Sequence, residues 1–293
     1  MADAVSAWTH YWQTGQVHSC INTHISDGAE LAAIWDDFAL SLKSGARVLD
    51  LATGNGAVAE QLAKHHKGLD VTGVDQADIA PAKSRVSYLG NVDITQLPFP
   101  DGSFDVVTSQ FGFEYAPQLA AAREAARIMS DGGCLCFLMH HPHSAVVETN
   151  SHKIPEIEFL LSPGGLLDQC HACLNDQLSF TDLETAGQAY LGSDMRRSRQ
   201  ISGQVFEAIG TLYQLKQQAP ASAKKHLLAL LSRIADEGYR LRQMQNAAVS
   251  ELQINALNSI FTEAGITLEV PEQFHTGGAG QRALIGWLLR GKR

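Results

Sequence analysis

The residues best suited to chemistry lie between positions 48 and 110. Val48-Leu49-Asp50-Leu51-Ala52-Thr53-Gly54-Asn55-Gly56 is an apolar run that ends in an acid, then passes through small residues and two glycines toward a helix-like stretch. Glycine at such a turn lets the backbone approach a ligand closely. A second acid, Asp75, closes Asp70-Val71-Thr72-Gly73-Val74-Asp75, and a third, Asp93, follows in Asn91-Val92-Asp93-Ile94. Carboxylates accept hydrogen bonds and favour nearby positive charge. Three acids at three successive strand ends therefore suit a ligand that is cationic and carries hydroxyl and amino groups.

Two cofactors compete for this constellation. Gly54-Asn55-Gly56-Ala57-Val58-Ala59 fits the G-x-G-x-x-(G/A) pattern of dinucleotide sites, with Asp75 at about the right distance for a ribose. Asp50 separates the two, because a carboxylate just before the loop opposes the pyrophosphate of a dinucleotide. S-adenosylmethionine has no phosphate and carries a sulfonium and an ammonium, which the same acid favours. Asp75 is then placed to accept from both ribose hydroxyls, and Asp93 from the adenine amino group, with Ile94 and Leu97 as apolar neighbours of the ring. A turn with no ligand would need another reason for two strand-end acids around a glycine-rich loop.

The elements that must hold these residues form an α/β pattern. Residues 46–138 alternate strand-like runs (ARVLDLA, DVTGVD, RVSYLGNVD, FDVVTSQF, GGCLCFLM) with AVAEQLAKHH, a short stretch near DIAPAK, and QLAAAREAARIM at helical spacing. Five strands with intervening helices predict a doubly wound parallel core. From about His141 to Gln253 the pattern turns to long helical segments, including VFEAIGTLYQLKQQ and AKKHLLALLSRIADEGYRLRQMQNAAV, and reads as an insertion or lid. LQINALNSIFTEAG then reads as a helix stopped by Gly265. The strand ITLEV, the glycine-rich HTGGAGQ and the strand ALIGWLL suggest an antiparallel pair at one sheet edge.

Composition narrows the function classes. Residues 1–140 hold 8 Lys and Arg against 16 Asp and Glu, and the rest of the chain 14 against 15, so an acidic body repels phosphate backbones and nucleic acid is not expected as a partner. Arg196, Arg197 and Arg199 read as a solvated basic patch, or else as a local anion site. No apolar run reaches the roughly 18 to 20 residues of a membrane span, so no membrane insertion is expected and a cytoplasmic enzyme is the default. The five cysteines, Cys20, Cys134, Cys136, Cys170 and Cys173, are expected as reduced thiols. Cys170 and Cys173 form one C-x-x-C with no second pair to complete four zinc ligands, and His140, His141 and His143 do not match a compact ligand set, so no metal is expected.

The blocks VLDLATGNG, GVDQAD, DITQLPFPDGSFDVVTSQFGFEYAP and RIMSDGGCLCFLM together resemble the class I S-adenosylmethionine-dependent methyltransferases, especially the branch that includes the ubiquinone and menaquinone biosynthesis enzymes. The resemblance covers residues 30–140 well and 251–290 by pattern. It implies a doubly wound, seven-stranded, mostly parallel Rossmann-like sheet with an antiparallel final strand, and methyl transfer that yields S-adenosylhomocysteine. It places Asp50 and the backbone of Ala52, Thr53, Gly54 and Gly56 near the methionine moiety, Asp75 at the ribose and Gln76 beside the adenine. Asp93 takes its amino group, with Ile94 beside it, and Ser109 or Gln110 the cofactor's amino end. The family commonly has Gly at Ala52 and Cys at Thr53.

Four segments follow: 1–29, covering the cofactor; 30–140, the S-adenosylmethionine-binding core; 141–250, a helical cap for the acceptor; and 251–293, a helix and strand pair completing the core. Tyr11 and Trp12 are lid candidates, although a helix packed on the sheet would use the same aromatics as core. Glu114, Tyr115, His140 and His141 follow the fourth and fifth strands and are expected to line the site of a small-molecule acceptor. His140 or His141 is the best available general base, with at most one facing the pocket, and Glu114 stands beside them as a catalytic candidate. The acceptor and the atom methylated are not visible in the sequence. The rival functions are a nicotinamide-dinucleotide oxidoreductase and a non-catalytic S-adenosylmethionine-binding partner protein.

Overall fold

A computed structural model of the 293-residue chain describes residues 4–16, 28–65, 68–79, 81–82, 84–277 and 282–293. Cys20, the end of the HTGGAGQ turn and most of segment 1–29 beyond residue 16 lie outside the described residues. The chain divides into two compact units, one of Trp8–Glu148 with Gln243–Arg293 and the other of Thr149–Arg242 with the first residues up to Ala7.

The first unit is built on one mixed sheet. β1 (Arg47–Leu51), β2 (Asp70–Val74), β3 (Ser87–Leu89), β4 (Phe104–Gln110) and β5 (Met129–His140) are parallel in the order β3-β2-β1-β4-β5. The last four residues of β1 are buried, as expected of a central parallel strand covered on both faces. β6 (Thr267–Leu268), β7 (Glu272–Thr276) and β8 (Ala283–Lys292) complete the sheet, β8 lying antiparallel to β5. α2 (Gly28–Ser41) packs with α3 (Ala57–Lys64), and α4 (Gln118–Ile128) packs with α11 (Glu251–Glu263) over a core drawn from β1, β4 and β5. α1 (Ala4–Gln13) begins in the other unit and ends in this one.

Two details depart from the sequence reading. ITLEV does pair antiparallel with β8, but through Thr267 and Leu268 to Lys292 and Gly291, past ALIGWLL, and ALIGWLL itself is met by β7, Glu272-Gln273-Phe274-His275-Thr276, which the apolar pattern does not reveal. The ladder runs from β6 through the Glu269 N–H to the Arg290 carbonyl at 2.9 Å and breaks at Pro271, which has no N–H to give. β6 and β7 are thus two halves of one edge. The stretch near DIAPAK is also not helical at Asp78, Ile79, Pro81 and Ala82.

The second unit is helical and has its own core. α5 (Ala145–Ser151) leads into it; α6 (Ile154–Leu161), α7 (Leu166–Leu174), α8 (Phe180–Leu191), α9 (Arg199–Gln218) and most of α10 (Pro220–Ala247) form it. Leu160, Leu167, Cys170, Cys173, Leu183, Val205 and Leu227 are among its buried residues, so the C-x-x-C is core with free thiols. The fully buried Glu156 accepts from the Tyr190 hydroxyl and from the N–H groups of Arg197 and Ser198 at 2.9 and 2.6 Å. That carboxylate already occupies the start of α9, and Arg196, Arg197 and Arg199 are exposed around it. Among the described residues no helix is long and apolar enough to cross a membrane, and no group of three or more His, Cys, Asp or Glu is placed to hold a metal.

Candidate functional site

The carboxyl ends of β1, β2 and β4 carry the site, the position at which open α/β sheets bind ligands. Register explains the first grouping: Asp50 lies opposite Gly73 on one side and Thr108 on the other. Asp50 is 2% exposed, and its two oxygens accept from Thr53 Oγ1 at 2.6 Å and Thr108 Oγ1 at 2.9 Å. It therefore braces the loop from beneath. Thr53 in turn rests on Gly73, where a Cβ would meet Thr53 Oγ1 at 2.7 Å. Burial pushes the Asp50 carboxyl up to about 6, against the pull of the two hydroxyl bonds.

Asp75, at the end of β2, closes the loop from the other side. Its oxygens accept from the Gly54 N–H and the Ala77 N–H, each at 2.8 Å, and burial again raises it to about 6. A carboxylate has about four acceptor positions, so capacity remains for a diol. The loop itself is held in left-handed backbone: Ala52 has φ 50°, Gly54 55° and Gly56 84°. At Ala52 this conformation costs roughly 1–2 kcal/mol that glycine would not incur. At Gly56 a Cβ would collide with the Tyr88 hydroxyl, which donates to Glu60 Oε1 at 2.9 Å.

An aromatic layer covers this loop. A Cβ at Gly54 would lie 2.5 Å from the Trp12 ring, and Asn55 Nδ2 donates to the carbonyls of Trp12 and Gln16 at 2.8 and 2.7 Å. Thr9 Oγ1 accepts from the Asp78 N–H at 3.0 Å, and the Trp8 ring meets Tyr115 edge-on at 5.5 Å. Tyr11 packs edge-on against Trp8 and Trp12. One face of α1 thus touches the loops after β1, β2 and β4.

The other expected cofactor positions separate into open and committed groups. Gln76 and Asp93 are exposed; Asp93 Oδ1 accepts the N–H and hydroxyl of Thr95, which leaves Oδ2 outward. Ile94 is buried in the sheet core together with Leu97. Ser109 is fully buried, donates to the Leu51 carbonyl at 2.9 Å and accepts from the Phe113 N–H at 3.0 Å, so its hydroxyl shapes the strand end. Gln110 is part-buried and accepts from the Trp35 indole N–H at 2.7 Å.

The strand-end groups expected at the acceptor side lie together. Glu114, in a single 3-10 turn at Phe113–Tyr115, is 2% exposed; Oε1 accepts the His140 N–H at 2.7 Å and Oε2 has no hydrogen-bond partner. Burial raises its carboxyl to about 7. The His140 ring is fully buried, stacked on Phe111 at 4.5 Å, with both nitrogens unpaired and its affinity for a proton lowered by burial to about 3. His141 stands against Trp287 at 4.9 Å, and its Nδ1 accepts the His143 N–H at 3.0 Å. Phe111 itself has φ 53°, a strained conformation for a bulky residue and typical of functional strand ends. Sequence reasoning missed Trp8, Trp35, Tyr88, Thr108 and Phe111, because their roles come from neighbours 28 or more positions away rather than from any local motif.

Known proteins are similar to this stretch in sequence. A family described as a methyltransferase domain matches residues 49–137. The demethylmenaquinone methyltransferase of Thermus thermophilus is 36% identical over 137 residues, covering 43% of this chain and 61% of that protein. That of Beutenbergia cavernae is 42% identical over 102 residues, covering 33% and 42%. The matched stretch thus spans less than two thirds of either relative. An S-adenosylmethionine-dependent methyltransferase of known structure from Mesorhizobium loti is 15% identical, covering 91% of this chain and 99% of that one at a TM-score of 0.48. The glycine-rich loop after Asp50, the acid closing β2 and the strands β1 to β5 that carry them thus meet in the one stretch, residues 49–137, that is similar to the methyltransferase-domain family.

Proposed function

We propose that the chain methylates a small, quinol-like aromatic acceptor with S-adenosylmethionine as donor. The observation that carries this reading is the pair of buried carboxyls, Asp50 and Asp75, gripping one glycine-rich loop through Thr53 Oγ1 and the Gly54 N–H. A cationic cofactor with a ribose diol fits that cradle, because its positive charge offsets two acids raised by burial and its hydroxyls meet the free acceptor capacity of Asp75. A dinucleotide would set a pyrophosphate over the same acids. The names of the relatives, both methyltransferases of a demethylated menaquinone, suggest the acceptor class.

S-Adenosylmethionine supplies an electrophilic methyl group on a cationic sulfur. The protein's own part is to hold and to exclude. Asp75 holds the ribose, the backbone of Ala52 to Gly56 the methionine end, and Asp93 Oδ2 with Gln76 the adenine edge. Trp12 and its helix shield the loop from water. Glu114 Oε2 is the group best matched to removing an acceptor proton near neutral pH, since His140, held near 3, is too weak a base in its packed position. The buried thiols of the helical unit suit a cytoplasmic protein. Calorimetry tests the assignment: S-adenosylmethionine and S-adenosylhomocysteine bind and NAD does not. Binding of NAD alone would overturn it.

A further inference from the structure

Gln110 ends β4, the strand whose carboxyl end faces the site from the centre of the sheet. Trp35 of α2, only 1% exposed, donates its indole N–H to Gln110 Oε1 at 2.7 Å. An indole can only donate, so the amide oxygen must face it and the orientation of the amide is settled by chemistry. The NH2 group then occupies the other arm of the planar amide, away from Trp35, and it has no partner among the described residues. On either side the strand end is committed: the Ser109 hydroxyl is spent on backbone groups, and Phe111 stacks on His140. Gln110 is left as a partly open residue that offers a fixed pair of N–H donors.

A fixed donor needs an acceptor atom. The amino end of S-adenosylmethionine, where the family pattern would seat this residue, is an ammonium and brings donors of its own. Two kinds of oxygen are complementary, the α-carboxylate beside that ammonium and a carbonyl or phenolate oxygen of the methyl acceptor, and binding of each ligand measured separately tells them apart. We propose that Gln110, oriented by Trp35, is a specificity residue that donates a hydrogen bond to an oxygen on the methyl acceptor. Trp35 acts only through Gln110 and is a positioning residue. This rests on the quinol-methylation reading and names the group that recognises the quinol oxygen.

The test uses the full chain saturated with S-adenosylhomocysteine and anaerobic calorimetry with 1,4-dihydroxynaphthalene as probe. Gln110→Met keeps the length and removes the donor, and it weakens probe binding about tenfold or more. Gln110→Glu presents an oxygen in place of the donor and weakens it further. Trp35→Phe frees the amide to turn and gives a smaller loss. The affinity for S-adenosylhomocysteine stays within about twofold of wild type in Gln110→Met. Unchanged probe affinity in Gln110→Met overturns the proposal, whatever Trp35→Phe does to folding. So does an equal loss of S-adenosylhomocysteine binding, which would assign the amide to the cofactor. A wild-type protein that binds S-adenosylhomocysteine but not the probe overturns the quinol reading and this proposal with it.

Discussion

The methyl group of Ala52 occupies the space that a side chain at residue 112 would need. A Cβ at Gly112 would lie 2.6 Å from that of Ala52, closer than packed carbon atoms approach. The two residues sit just past the ends of β1 and β4, and Ala52 stands in left-handed backbone. Gly112 is therefore the complement of having Ala rather than Gly at position 52.

That relationship predicts a coupled pair. Ala52→Gly relieves the backbone strain and stabilises the protein by about 1 kcal/mol, less the cost of a more flexible unfolded chain. Gly112→Ala alone destabilises by roughly 1–3 kcal/mol through overpacking. Added to Ala52→Gly it costs much less, since the opposing methyl is gone. Denaturant titrations of the four proteins check this, and additive effects would show that the two sites do not share the space.

Asp75→Ala removes a carboxylate that holds the Gly54 N–H as well as the proposed ribose contact. Affinity for S-adenosylhomocysteine should fall about ten- to a hundredfold. Asp93→Ala, whose carboxylate is exposed, should cost less. Calorimetry at a temperature where circular dichroism reports native fold separates binding from unfolding. An unchanged dissociation constant in Asp75→Ala places the ribose elsewhere.

The raised carboxyls give a pH signature of defined sign. Asp50 and Asp75, at about 6 in the folded chain, bind more protons folded than unfolded between roughly pH 4 and 6, so their contribution to stability falls as pH rises through that window. A sulfonium bound nearby favours the ionised acids. Affinity for S-adenosylmethionine should therefore rise, by about tenfold, from pH 5 to 7 with release of protons. S-Adenosylhomocysteine lacks the sulfonium charge and should show the smaller dependence. Calorimetry in buffers of different ionisation enthalpy measures both, and equal slopes for the two ligands would contradict the placement of charge.

Glu114→Gln keeps the bond from the His140 N–H and loses the titrating oxygen. With an accepted quinol and saturating cofactor, turnover should drop about 10²- to 10⁴-fold and the rise in rate near pH 7 should vanish. His140→Ala should act mainly on stability, because the ring is neutral and buried against Phe111. A pH–rate profile unchanged in Glu114→Gln would mean that the enzyme works by positioning alone.

The central strands and the cofactor loop are legible in the chain itself. The apolar runs around β1, β2, β4 and β5 are continuous because both faces of a parallel strand are buried, and a strand-end acid before glycines is a local pattern that survives in one dimension. Asp50, Asp75 and the glycines at 54 and 56 therefore stand out by type and spacing. β7 is hidden, since a five-residue edge strand with Glu, Gln and His has no apolar alternation to betray it. The bracing role of the acid is decided only in three dimensions: register sets Thr108 beside Asp50, so that its carboxylate holds both that strand and, through Thr53, the loop. Ser109 and Gln110 are adjacent in sequence, yet the strand's alternation gives one to the backbone and the other to Trp35, 75 residues away. His140 and Glu114 exchange standing through burial. Type alone makes histidine the neutral-pH base, but burial opposes charge on both groups, lowering the histidine out of the useful range and raising the carboxyl into it. Burial is a property of the packed fold, and a sequence fixes residue types without fixing which of them lose water.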